Sequence, residues 1–420
     1  MNFVFISPAF PKNYYHFCEA LKKNGVRVLG VGDTPYNELS SYVKDNLDEY
    51  YKVNSLENYD EVFRAVAFFS FKYGKIDFLE SNNEYWLRQD ARLRTDFNIN
   101  GAKLSDVEGF TSKSHMKEYY IKAGVPVARY KFLTNLKEDL EFIDNVVGYP
   151  VVVKPDVGVG AAATYKIKNK KDLEDFYNRG FNVPYIMEEY ITGDIISFDG
   201  IVDSNSNVVF SDNEVFPPSI MDIVNENLDL TYYVNKEVPQ NVFEIGQKVL
   251  KAFNIKSRYF HLEFFRLTKA KHGLGKSGDI VALEVNMRPP GGYTPDMINF
   301  GQSVNTYQIY ADVMCYDKIV NVKLDYPKFY CIYTSRRDQN SYVYSSSEIQ
   351  EKYNNHICMS GRMSEALASA MGNEYFIAKF DDFDEMIKFR EMVEEKKWKN
   401  KWLSRKIITF VFKIFQLMSK

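Results

Sequence analysis

A chain of 420 residues, 45% hydrophobic and 26% charged, has the composition of a globular protein and length for about two to four domains. Its formal net charge of −3 excludes a general electrostatic pull toward nucleic acid or an acidic membrane. Four scattered cysteines, Cys18, Cys315, Cys331 and Cys358, form no CxxC pair, which argues against structural zinc and for a reducing, cytoplasmic setting.

The opening, MNFVFISPAF, lacks a basic leader and a long apolar core and does not read as a signal peptide. Phe3–Ser7 reads as a strand, Tyr14–Lys23 as a helix closed by Gly25, and Val26–Val31 as a second strand. A helix over Tyr59–Tyr73 and a strand over Ile76–Glu80 follow. This strand–helix–strand order implies a parallel sheet. The first turn, SPAFPKN, has no glycine, so a dinucleotide fingerprint is absent. ESNNEYW (80–86) leaves the carboxyl end of a strand, where such sheets meet ligands, although Ser81 or Asn82 also suits a helix cap.

Thr111–Ala123 reads as a capped helix ended by Gly124 and Pro126. Ala128–Phe132, Lys137–Val147 and Pro150–Pro155 then give strand, helix and strand. Gly158–Ala163 is a small-residue loop, Thr164–Ile167 a return strand and Asp172–Arg179 a helix. Strands are expected at Ile186–Tyr190, Ile195–Val202, Tyr259–Leu267 and Ile280–Asn286, the last two joined by a polar hairpin over 269–279. Phe300–Met314 has a helical pattern. Short strands and helices follow from Phe329, ending in a helix at Asp382–Glu395.

Three stretches carry chemistry. In YPVVVKPDVGVGAAAT (149–164), Lys154 ends a buried strand, and the glycine–alanine loop after it lets backbone N–H groups approach an anion. An ordinary hairpin tip fits this stretch equally well. In YFHLEFFRL (259–267) and IVALEVNMRPP (280–290), Glu263 and Glu284 interrupt apolar strands. Two buried carboxylates on neighbouring strands repel unless a cation lies between them, and Asn286 adds a neutral oxygen on Glu284's face. Oxygen ligands of this kind suit Mg²⁺ completed by substrate phosphates. The alternative is that both acids face solvent and pair with lysines. YIMEEYITGD (185–194) turns from apolar strand to Glu188, Glu189 and Tyr190. GLGKS (273–277) is not a phosphate-binding P-loop: the required first glycine is Ala270, and a hairpin tip explains it.

In chain order these pieces resemble the ATP-grasp superfamily. The resemblance covers 1–325 directly, with 326–395 matching that family's C-terminal lobe. It implies an α/β and α+β multidomain fold. A Rossmann-like pre-ATP-grasp domain (1–105) precedes an ATP-grasp small lobe (106–190), a large lobe with the metal site (191–325), a C-terminal lobe (326–395) and a basic–apolar tail (396–420). It further implies that Lys113 and Lys154 hold ATP phosphates and that Gly158–Ala162, with Gly158 and Gly160, forms the phosphate flap. Glu188, Glu189 and Ile191 then match the adenine hinge. Ile195 stands where the family places a ribose-binding glutamate, for which Asp194 is the nearest substitute. Glu263, Glu284 and Asn286 match the ligands of Mg²⁺ (or Mn²⁺). Arg288 matches the catalytic arginine that grips the phosphoryl group or substrate carboxylate, with Gly291, Gly292 and His261 on the substrate side.

The activity so implied is an ADP-forming carboxylate–amine ligase that works through an acyl phosphate on an amino acid or similar small acid. A carbamoyl-phosphate-synthase-like acyl-phosphate kinase and a nucleotide-binding regulatory protein are the alternatives. The His-Pro-Val-Thr-Glu run of biotin carboxylases is missing, and the Arg-x-x-Gly-Gly turn resembles that of amino-acid ligases. The tail from Lys396 is basic and then apolar over Ile407–Met418, too short to span a bilayer. It suits an interfacial helix on an anionic membrane, or packing on the protein's own body or a dimer partner.

Overall fold

The computed structural model describes residues 1–158, 163–216 and 228–397. The N-terminal sheet is parallel, in the order β3 (Glu49–Lys52), β2 (Arg27–Gly32), β1 (Asn2–Ile6), β4 (Phe78–Glu80). Its centre is apolar on both faces, as a covered parallel sheet requires. Val4 and Ile6 pack with Val62 and Phe69 of the helix Tyr59–Tyr73. Phe3 and Phe5 belong instead to a core shared with the helix Tyr15–Lys23 and the helix Thr306–Tyr316. Phe17 meets Tyr307 and Tyr310 edge-on at 4.8 and 5.1 Å, so this sheet is docked on the body through aromatic contacts.

A second, antiparallel sheet has the order β5 (Tyr130–Phe132), β8 (Tyr185–Glu189), β6 (Val151–Pro155), β7 (Tyr165–Ile167). Strand alternation divides its residues. Val151, Val153 and Met187 face a core with Leu173 and Phe176 of the helix Lys170–Arg179, leaving Val152, Lys154 and Glu188 on the opposite face.

The third sheet is the largest. Its strand order is β14 (Ile280–Asn286), β13 (Arg258–Leu267), β9 (Gly193–Val202), β11 (Glu214–Phe216), β12 (Thr231–Val234), β15 (Tyr330–Arg336), β17 (Glu374–Phe380), β16 (Ile357–Arg362), with β10 (Val208–Asp212) also paired to β9. Phe198, Leu262, Phe264 and Val285 point to one side, against the helix Gln240–Ala252 and Met116 and Tyr120 of the helix Lys113–Lys122. Because β15–β17 continue the sheet begun by β9, the boundary expected near residue 325 falls between strands of one sheet. The helix Phe383–Glu394 packs on that end.

One expected helix is two. Phe300–Met314 is split between Thr294–Gln302 and Thr306–Tyr316. Ser303 takes a left-handed conformation (φ 53°), and the Asn305 side chain accepts from Gln308 N to start the second helix. No described helix is long and apolar enough to cross a membrane. The tail beyond Lys397 lies outside the described residues, as does Gly160.

Candidate functional site

A cavity of about 550 Å³ lies between the outer face of the β5–β8 sheet and the upper face of the large sheet. Its floor is set by strand register. Glu284 pairs with Glu263, Glu263 with Ser197, and the backbone N–H of Glu214 donates to Ser197 Oγ at 3.0 Å. One row across four strands therefore carries three carboxyl groups. A neighbouring row runs Asn286, His261, Asp199, Asp212. On the other side an apolar row runs Phe265, Ile195, Phe216.

The roof contributes cations. Lys154, at the end of β6, lies 3.0 Å from Glu188, and Lys117 lies 3.1 Å from the same carboxylate. Burial by itself disfavours a charged Glu188, but the two ammonium groups bring its pKa down to about 2. Lys113 reaches Glu284 (3.4 Å) and donates to the Gly158 carbonyl at 3.0 Å. Asp156 fixes this arrangement: it accepts from Ser112 Oγ (2.7 Å) and Ser114 N (2.8 Å), tying the start of Lys113's helix to the end of Lys154's strand. Glu189 turns away from the roof into Arg129 and Lys271 (2.7 and 3.3 Å), so at 188–191 both acidic side chains are already engaged.

The acids of the floor are less well matched. Glu284 is pushed up by burial, with Lys113 opposing and Glu263 and Glu84 adding to the shift. Glu263 is held down despite burial, chiefly by His261 and then Arg288 and Lys154. His261 has Nδ1 2.5 Å from Asp199 and Nε2 3.0 Å from Glu263. Burial opposes its charge, but Asp199 and then Glu263 raise its pKa to about 10. Asn286 is buried, and its Nδ2 has no hydrogen-bond partner among the described residues. Among the described residues no three His, Cys, Asp or Glu side chains close a metal site unaided. The two acids and the amide are instead an open oxygen set, of the kind that draws its remaining ligands from phosphate and water.

Arg288 lies past the end of β14 and pairs with Glu84 at 2.8 Å. Glu84 comes from the 80–86 loop that follows β4 of the N-terminal sheet. In that loop Asn83, rather than Ser81 or Asn82, caps the short turn Glu84–Trp86. Gly291 and Gly292 line the cavity. Gly292 has φ 62°, and a Cβ there would sit 2.9 Å from Met371 Cε, so this turn needs glycine. Asn13 Nδ2 donates to the Gly292 carbonyl at 3.3 Å, adding a second N-terminal support.

Residues 122–292 match the family model for the ATP-grasp domain. The matched stretch includes Lys154, Glu263, Glu284 and Arg288. The L-arginine-specific L-amino acid ligase of Bacillus subtilis is 24% identical over 263 residues, 61% of this chain and 62% of that ligase. The alanine–anticapsin ligase of Bacillus subtilis (strain 168) is 22% identical over 311 residues, 65% of this chain and 62% of that protein. The matched stretch thus spans just under two thirds of each curated relative. The crystal structure of an L-amino acid ligase from Bacillus licheniformis has the same fold at 14% identity, with a TM-score of 0.69 over 95% of this chain and 99% of that one.

Within this ATP-grasp fold, Lys113, Lys154, Glu188, Glu189, Ile191, Asp194, His261, Glu263, Glu284, Arg288, Gly291 and Gly292 line one cavity. Asn286 lies one register step along from Glu284, and Gly158 is held by Lys113. Asp194 pairs with Arg266 at 2.9 Å, while Ile195 joins the apolar row. Sequence reading missed Lys117, Asp156, Asp199, Asp212 and Glu214. Lys117 was findable, because Lys113 and Lys117 are four apart on one helix and so share a face. The GLGKS segment is a hairpin tip, closed by Lys271 N–H to the Gly275 carbonyl at 2.8 Å.

Proposed function

We propose that the protein is an ATP-dependent carboxylate–amine ligase that activates an amino acid or similar small acid as an acyl phosphate. The observation that carries this reading is the convergence, around one cavity, of Lys113 and Lys154 from the roof with Glu263, Glu284 and Arg288 from the floor. The two Bacillus subtilis relatives, both ligases by name, support it.

Lys113 and Lys154 bind the phosphates of ATP, and the backbone of 188–191 meets the base, since the side chains of Glu188 and Glu189 are engaged elsewhere. Glu263, Glu284 and, through its amide oxygen, Asn286 would hold Mg²⁺, because the three form an oxygen-donor set on adjoining strand positions. The ion when bound neutralises charge on the phosphates. Arg288, braced by Glu84, holds the acid's carboxylate or the moving phosphoryl group. The carboxylate oxygen attacks the γ-phosphorus, the bond to the β-bridging oxygen breaks, and ADP leaves. An amine then attacks the acyl carbon, the acyl C–O bond breaks, and phosphate departs with that electron pair while the nitrogen loses a proton. Both ring nitrogens of His261 are engaged with carboxylates, Asp199 and Glu263, so its part is to hold Glu263 in place.

The test is release of ADP and phosphate from Mg-ATP with paired amino acids, with condensation products read by mass spectrometry. Turnover that needs both an acid and an amine is expected. Nucleotide binding with no phosphate release from any pair would favour a regulatory protein, and release without an amine would favour an acyl-phosphate kinase.

A further inference from the structure

Glu214 is the most unusual buried group in the cavity wall. It is fully buried, and neither carboxyl oxygen has a hydrogen-bond partner among the described residues. A buried carboxyl group left in this state is costly. The neighbouring donors are all spent. The Ser197 hydroxyl donates to Asp199, the Asn213 amide donates to the Ser197 carbonyl, and the two His261 nitrogens lie against Asp199 and Glu263. Burial, Asp199, Asp212 and Glu263 push the Glu214 carboxyl well above the usual carboxylate range against the opposing charge of His261, and no lysine or arginine forms an ion pair with it among the described residues.

Position says what belongs there. Glu214 lies two strand spacings from Glu263, roughly 10 Å between backbones, on the same row as the acids of the phosphoryl-transfer end. Around it the wall is apolar: Phe216, Leu230, Leu367 and Met371 line the same cavity. Phe216 stacks on Tyr232 at 5.0 Å, and the Tyr232 hydroxyl is paired with Thr294. The site thus offers a carboxylate-binding end at Arg288, an unmatched acid, and an oily wall beside it.

We propose that Glu214 binds the ammonium group of the acid substrate, which is therefore an apolar α-amino acid and not a simple carboxylic acid. This rests on the ligase reading for the orientation of the substrate, whose carboxylate faces Arg288 and the acids of β13 and β14. The incoming cation supplies the partner that the protein withholds. A des-amino acid leaves Glu214 unpaired, and its binding is penalised accordingly.

The test compares L-leucine with 4-methylpentanoate, and L-alanine with propionate, in the presence of Mg-ADP, by calorimetric binding, and separately by ADP release from Mg-ATP with an amine. Wild-type protein should prefer each amino acid by on the order of 100-fold. Glu214→Gln mimics the neutral acid in shape and should fold; it should lose that preference while binding the des-amino acids as wild type does. Glu214→Asp keeps the charge and should retain the preference at weaker affinity. An unchanged preference in Glu214→Gln, or equal binding of both acids by wild type, overturns the proposal even if ligation proceeds. Glu214-dependent binding of amino acids without any ADP release supports it and defeats the ligase reading instead.

Discussion

Two buried glutamates, one on each side of the cavity, have opposite surroundings. Glu188 in the roof lies between Lys117 and Lys154, with its charge balanced inside the protein. Among the described residues Glu214 in the floor has no hydrogen-bond donor, and Glu284 forms an ion pair only with Lys113, at 3.4 Å, against the repulsion of Glu263. A balanced acid contributes to the fold, whereas an unbalanced one costs stability until something binds. The contrast therefore separates residues that hold the protein together from those kept ready for a ligand.

Substitution should expose this difference. Glu284→Gln is expected to lower turnover by about 1,000-fold or more, equivalent to ~4 kcal/mol, while leaving the melting temperature unchanged or slightly raised, because it relieves repulsion with Glu263. Turnover comparable to wild type would remove Glu284 from the chemistry. Glu188→Gln should do the reverse. By leaving two lysines buried together it should cost roughly 3–5 kcal/mol in denaturant unfolding, and a loss under 1 kcal/mol would mean the roof pair is not the support described.

The pH dependence of that loss has a definite sign. The folded pKa of Glu188, about 2, lies below the ordinary value of 4.5. Its stabilising share is thus fully present above pH 4.5 and disappears as pH falls through about 2. The stability gap between wild type and Glu188→Gln should narrow over that window, and a gap that widens on acidification would contradict the assignment. The smallest effect is expected at Asp194, which pairs with Arg266 where both are more than a third exposed. Asp194→Asn should change unfolding stability by less than ~0.5 kcal/mol.

Much of this was legible in the sequence. Glu263 and Glu284 stood out because a carboxylate inside an apolar strand has few explanations, and period-two alternation put Asn286 on Glu284's face. Lys154 was marked by the buried strand that precedes it. Glu214 was not legible: β11 is three residues long and has no alternation to read, and only the sheet register brings it into line with Glu263. The edge strand Glu49–Lys52 and the helix Gln240–Ala252 were missed as well. The first is short and only half-buried, and the second has no polar cap, since Pro239 precedes it without a side-chain hydrogen bond. Glu84 was visible only as part of a ligand-facing loop, because its partner Arg288 is 204 residues away.

The central claim is that a carboxylate oxygen becomes a phosphate oxygen at this site. An amino acid labelled with ¹⁸O in its carboxyl group, incubated with Mg-ATP and an amine, tests it directly by mass spectrometry of the inorganic phosphate. One ¹⁸O per phosphate, accompanied by ADP and the condensed product, is the result expected of an acyl phosphate intermediate. Condensed product formed with unlabelled phosphate, or with AMP in place of ADP, would contradict it.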